Sequence, residues 1–381
     1  MIKKCLSIVL AAIVIACSSS DDPAPDNNNG GTDPTDDGPI ASFDRSAMLT
    51  NWADNIIVPA YEEFLATAEA LQQQIDNFNV NTTEDNLNLL RDSWLTAYKS
   101  FQWVSMFEIG PAEDARFRAR LNTYPADAAT IDDFRTTGVY NFELPSNIDA
   151  QGFPAFDYML FGLADTDAAI LEFYTTDASA SIAKIYLQDL ATAMTGLAQQ
   201  VLNEWNSGFA TSFKANTDAS ANGSIDKLTN DYIFYYEKAL RAGKIGIPAG
   251  VFSTDPLPGN VEAFYNQEVS RELVLEALQA AQNFFNGNGN GTGNGRGFKS
   301  YLDFLNTIKN GEDLSTLIND QFDLARTEIE ELSNNFVSQI QSNNTAMLEA
   351  YDELQRNVIL IKVDMLQALS IDVDFVDTDG D

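Results

Sequence analysis

LSTLINDQFDLARTEIEELSNNFVSQI, residues 314–340, decides the fold class. Leu314, Leu317, Ile318, Phe322, Ala325, Ile329, Leu332, Phe336 and Ile340 follow one another at steps of three and four, with acids and amides between them. That spacing puts the apolar side chains on one face of a helix and the polar ones on the other. A second stripe, Leu348, Tyr351, Leu354, Val358, Ile361, Met365 and Leu369, follows directly. The two predict a pair of long antiparallel helices joined near Ser342-Asn343-Asn344.

Working outward, the same periodicity predicts helices over 44–78, 84–107, 179–214, 225–244 and 261–285. Nothing alternates apolar and polar long enough for a sheet, and only 370–376 has strand-like spacing, too short for more than an edge strand or extended segment. The expected fold class is all-α. The small, polar run Thr217 to Gly223 divides the helical part into units 43–216 and 217–381. Asn286 to Gly297 reads as a flexible loop, since its alternating glycines lack the strand, helix and Lys-Ser/Thr junction of a phosphate cradle. Tyr232, Phe234, Tyr235 and Tyr236 point in several directions on a helix, which suits burial between helices rather than a stacking platform.

Residues 1–16 read as a signal peptide: Lys3 and Lys4 precede an apolar run from Leu6 to Ala16 that is too short to span a bilayer. Val14-Ile15-Ala16-Cys17 resembles the signal that directs lipidation of the cysteine, so Cys17 is the expected anchor to a membrane. Cleavage there removes Cys5 and leaves no disulfide. Residues 17–42, rich in Asp, Asn, Gly, Pro and Thr, read as a flexible stalk. The Ser18-Ser19-Ser20-Asp21-Asp22 start resembles surface lipoproteins of some Gram-negative bacteria, which implies an outer-membrane address, surface-exposed or periplasm-facing.

With 22 Lys plus Arg against 56 Asp plus Glu, the net charge of −34 excludes nucleic acid as a partner. The acidity serves solubility or, alternatively, cation capture. The chain contains no histidine. That excludes Ser-His-Asp and Cys-His hydrolases and the familiar zinc sites, and leaves binding or chemistry done by carboxylates.

Several strings resemble the imelysin family of exported bacterial helical proteins. They are Trp94-Leu95-Thr96-Ala97-Tyr98 through Trp103 to Phe107-Glu108-Ile109-Gly110-Pro111, then Tyr124-Pro125-Ala126-Asp127, then Gln151 to Gly162. Ala242 to Gly250 and the ending from Leu360 through Asp381 complete the set. The resemblance implies two helical-bundle halves packed around a central cleft and a Gly-x-His-x-x-Glu signature that holds metal. In this chain Gly152 keeps the glycine, Pro154 stands at the histidine position and Asp157 at the glutamate position, while Ser105 stands where an acid is expected. Asp157 and Gly152 are thus the candidate ligand residues, and Pro154 and Ser105 the degenerate positions. The alternative for the segment is a plain helix start, with Gly152 in a turn, Pro154 in the first turn and Asp157 meeting the helix dipole.

Asp372, Asp374, Asp377, Asp379 and Asp381 read either as part of a calcium loop lacking its final glutamate or as a solvated acidic end. The expected function is non-enzymatic binding of an unknown ligand or protein partner, with iron or metal acquisition as the role the resemblance implies. The alternatives are a metal-dependent peptidase with carboxylate ligands and a scaffold that has lost its site. Iron or another hard cation is the expected cofactor, and zinc is not expected.

Overall fold

The computed structural model describes residues 42–309 and 311–374. The signal peptide at 1–16, the lipidation site Cys17, the stalk up to residue 41 and the terminal Asp377, Asp379 and Asp381 lie outside the described residues. From Phe43 onward the described residues make one compact unit.

The first helix, α1 (45–80), starts where the Asp44 carboxylate accepts the Ala47 N–H at 2.9 Å, and it passes through a π-helical stretch, Asn51–Ile57. Its buried stripe, Tyr61, Phe64, Ala68, Leu71, Ile75 and Phe78, faces α2 (Glu84–Gln102) and a later long helix. Thr83 caps α2, Glu84 and Asp85 sit in its first turn and Lys99 in its last, which matches charge to the helix dipole at both ends. Short helices follow: α3 (Pro111–Ala115), α4 (Phe117–Asn122), α5 (Ala128–Thr137), α6 (152–162) and α7 (Asp167–Thr175). The long helix α8 (Ala180–Glu204) packs its Ala183, Leu187, Leu190, Met194 and Val201 face on α1. Gly208, at φ 149°, interrupts the helical path before α9 (Ala210–Ala215), where continuous helix to 214 was expected.

The second half opens with α10 (224–249), of which Tyr235–Gly246 is wound as a π-helix. Then come α11 (Ser270–Phe285) and α12 (Phe298–Leu305), a minimal hairpin of β1 (Ile308–Lys309) with β2 (Glu312–Asp313), α13 (Leu314–Glu330) and α14 (336–369). The core is continuous across residue 216: α11 packs on α2, and Trp52 and Phe107 lie edge-on or tilted against Phe284. Each such large apolar side chain taken fully from water contributes about 1.5–3 kcal/mol.

The helix expected over 84–107 ends at Gln102, and two further expected helices differ from what forms. The stripe over 314–340 is two helices, because the chain leaves the helical path after Glu331 and Asn335 caps a new start by accepting the Ser338 N–H at 2.8 Å. The expected joint at 342–344 survives as a kink at Asn343, whose φ of −155° is not helical. The stretch 261–285 is helical only from Ser270, since Ala263 and Gln267 take positive φ and the chain between them is held in an irregular bend. Tyr232, Tyr235 and Tyr236 are buried as expected, while Phe234 is 37 % exposed. The tail 371–374 forms no strand; it is stitched to Asn230, whose side chain donates to Asp372 O and accepts from the Asp374 N–H.

The Asn/Gly loop 286–297 is pinned at its base. The wholly buried Asn51 donates both amide hydrogens into it, to Gly287 O at 2.8 Å and Arg296 O at 3.0 Å. Asn286, the loop's first residue, and Asn319 exchange a second pair of amide bonds.

Candidate functional site

The signature segment is α6. Gly152, at φ +68°, lies so close to the end of α4 that a Cβ there would meet Leu121 O at 2.2 Å. Only glycine combines that backbone angle with that approach. Pro154 is buried in the first turn of the helix and presents no ligating atom. Asp157 is buried too, and it does not act on the dipole of its own helix. Its two carboxylate oxygens accept the Tyr265 N–H at 2.8 Å and the Asn266 N–H at 2.9 Å. Burial pushes its carboxyl up to about 7, the two N–H donors pull it down, and the nearby Glu262 charge pushes it up again. Asp157 thus ties the first half to the irregular bend at 261–269.

That bend carries Glu262, 1 % exposed, into the junction. Its Oε1 accepts the Tyr98 hydroxyl at 3.1 Å and the Asn122 amide at 2.8 Å, and its Oε2 closes an ion pair with the buried Lys244 ammonium. The π-helical winding of α10 delivers Lys244 and Tyr235 to this place; such winding is rare and recurs at functional sites. Burial lowers the Lys244 pKa and the Glu262 charge partly restores it. Lys244, Tyr235, Tyr124, Asn122, Ser105 and Arg118 help to line a cavity of about 250 Å³ between the halves. Ser105 is buried; its hydroxyl donates to Gln102 O at 3.3 Å and its carbonyl accepts Arg118 Nε at 2.5 Å.

Arg118 also binds a second acidic pair. Its Nη2 donates to Asp231 Oδ1 at 2.8 Å, its backbone N–H to Glu108 Oε2 at 2.7 Å, and the Glu108 N–H donates to Asp231 Oδ2 at 2.5 Å. Burial pushes Glu108 up to about 7 against the pull of Arg118, and raises Asp231 likewise. A cavity of about 450 Å³ adjoins this pair, with Phe209, Phe213, Phe234 and Lys227 among its walls.

The family model described as imelysin matches residues 57–359. The chain belongs to the imelysin family. Its all-α fold agrees with that of solved relatives: the imelysin-like protein of Psychrobacter arcticum superposes with a TM-score of 0.67 at 18 % identity, over 87 % of this chain and 97 % of that one. A Parabacteroides distasonis protein, proposed to be an iron-regulated protein A precursor, superposes with a TM-score of 0.63 at 17 % identity, over 86 % and 97 %. In sequence, the iron-regulated protein A of Synechococcus elongatus is 26 % identical over 164 residues, 42 % of this chain and 41 % of that protein. The chain therefore spans about two fifths of that curated relative.

The imelysin signature implies a metal, and the residues at its place in this chain do not fit one. A metal ion needs several converging donors with free lone pairs. Pro154 offers none, both Asp157 oxygens are engaged by backbone N–H groups, and Glu262 already faces an ammonium. Among the described residues no group of three or more His, Cys, Asp or Glu is placed to hold a metal ion, and no helix is long and apolar enough to cross a membrane. The sequence pointed to Gly152, Pro154, Asp157 and Ser105; the structure adds Glu262, Lys244, Glu108 and Asp231. Glu108 and Lys244 lie inside strings that carry the family resemblance, whereas Glu262 sits in a stretch whose apolar spacing reads as plain helix.

Proposed function

We propose that this imelysin-family chain is a non-enzymatic binding protein, held at the outer membrane by a lipid on Cys17, that serves iron or metal acquisition by taking a ligand into the cavity between its helical halves. One observation carries the non-enzymatic part: the carboxylates of the signature region are spent on structure, Asp157 on two backbone N–H groups and Glu262 on Lys244, Tyr98 and Asn122. A metallopeptidase needs an ion that activates water and at least three convergent ligands to hold it, and among the described residues no group of three or more His, Cys, Asp or Glu is so placed. The name of the Synechococcus relative, iron-regulated protein A, supports the link to iron.

The test has two arms. Protein purified without chelators is assayed against unfolded substrates with and without added divalent metal, and cells lacking the gene are grown under iron limitation with wild-type or Cys17→Ser protein restored. Expected are no cleavage, impaired growth of the deletion strain, rescue by wild type and release of the Cys17→Ser protein from membranes. Chelator-sensitive cleavage that disappears in Asp157→Ala overturns the reading in favour of a peptidase. Normal growth of the deletion strain overturns the acquisition role.

A further inference from the structure

Two buried donors face the junction cavity. Tyr235 is 1 % exposed, and its hydroxyl lies close enough to the Ser105 side chain to interact with it, in a geometry that falls short of a full hydrogen bond. Lys244 spends one of its three N–H groups on Glu262, and no other partner holds it among the described residues. The acceptors around them already take bonds from elsewhere: both Glu262 oxygens, both Asp157 oxygens and the Ser105 carbonyl each accept at least one. A buried hydroxyl left without any partner costs about 1–3 kcal/mol, so one held only weakly beside a roomy cavity favours something there that accepts from it. At about 30 Å³ per water, the 250 Å³ could hold about eight waters or one small organic molecule. Phe101, Ala239 and Ile247 give part of the wall an apolar character suited to a short hydrocarbon body.

We infer that this cavity binds a small carboxylate, its oxygens accepting from the Lys244 ammonium and the Tyr235 hydroxyl and its carbon chain lying toward Phe101 and Ile247. The inference rests on the binding role proposed above and names the class of molecule bound. Recruitment of a metal cation is disfavoured at the same spot, because Lys244 already supplies the positive charge that Glu262 requires.

Isothermal titration of the full chain with acetate, propionate, succinate, inorganic phosphate and methylammonium chloride tests it, alongside Tyr235→Phe and the paired Lys244→Met with Glu262→Gln. Expected is saturable binding of a carboxylate, weakened about tenfold or more in Tyr235→Phe and abolished in the paired variant, with methylammonium inert. Tyr235→Phe removes one hydroxyl whose only interaction in the protein is the weak one with Ser105, and a melting temperature measured alongside shows that the variant keeps its fold. Binding of phosphate alone, of methylammonium, of none of the probes, or of carboxylate equally in wild type and Tyr235→Phe overturns the inference. Such a result beside intact growth rescue under iron limitation sinks the carboxylate alone; carboxylate binding without any growth effect sinks the acquisition role alone.

Discussion

At Gly152 the backbone stands at φ +68° with Leu121 O 2.2 Å from where a methyl group would be placed. Gly152→Ala therefore adds both a strained dihedral and a clash with main chain that cannot swing aside. The expected loss is about 2–4 kcal/mol, from 1–3 kcal/mol of strain plus overpacking, read as a lowered midpoint in urea unfolding. Glu108 gives a pH signature. Its carboxyl, ordinarily near 4.5, is held up to about 7 in the fold, chiefly by burial. A folded value above the unfolded one means that the protonated group's stabilisation is fully present below about 4.5 and lost as pH rises through about 7. Glu108→Gln, which keeps an acceptor for the Arg118 N–H, should gain stability relative to wild type between pH 5 and 8, by about 2 kcal/mol. Unfolding midpoints that shift in parallel across that range would refute this.

Among the helices, period alone located α1, α2, α8, α10 and α14, because their buried faces repeat at three and four and little else competes. It failed where a distant group overruled it. Leu332 and Phe336 are four apart and stay in phase, so the sequence reads through a break that the Asn335 cap imposes. At 261–269 the apolar spacing suggests a helix, yet Asp157, more than 100 residues away, takes the Tyr265 and Asn266 N–H groups that an α-helix would have used. The site shared that fate. Gly152 and Asp157 could be singled out by motif, while Glu262 and its partners are united only by tertiary packing of the bend. The Asn/Gly loop was legible as a loop but not as a pinned one, since nothing near it in sequence announces Asn51, 236 residues from Gly287. Asn51→Ala takes the Asn51 donor from Arg296 O and leaves Gly287 O with the Gly295 N–H, and should cost about 1–3 kcal/mol, with faster amide exchange confined to 287–297.

Across the whole molecule, Lys244 and Glu262 join α10 and the bend to α2 and α4 through Tyr98 and Asn122. Lys244→Met alone leaves a buried carboxylate without its cation and should cost about 3–5 kcal/mol. The paired Lys244→Met with Glu262→Gln removes both charges and should recover most of that loss, because the glutamine can still accept from Tyr98 and Asn122. Thermal unfolding of the two variants decides it: equal losses would mean that the pair's charges matter less than its shape. The same cycle separates packing from binding, since the carboxylate site disappears in both variants while stability returns in one.

The clamp that Asn51 places across Gly287 and Arg296 also uncouples what lies between from the rest of the protein. Residues 290–296 are exposed, and the loop's feet are held by the Asn51 clamp together with the loop's own Gly295 N–H to Gly287 O bond at 3.1 Å. Extra chain added there pays only the slow logarithmic closure entropy, about 0.6 kcal/mol for each doubling of length. A peptide epitope or a small reporter domain spliced between Gly291 and Thr292 should therefore leave the melting temperature nearly unchanged, giving a handle by which whole cells can be asked, with an impermeant antibody, whether this chain is displayed on their surface.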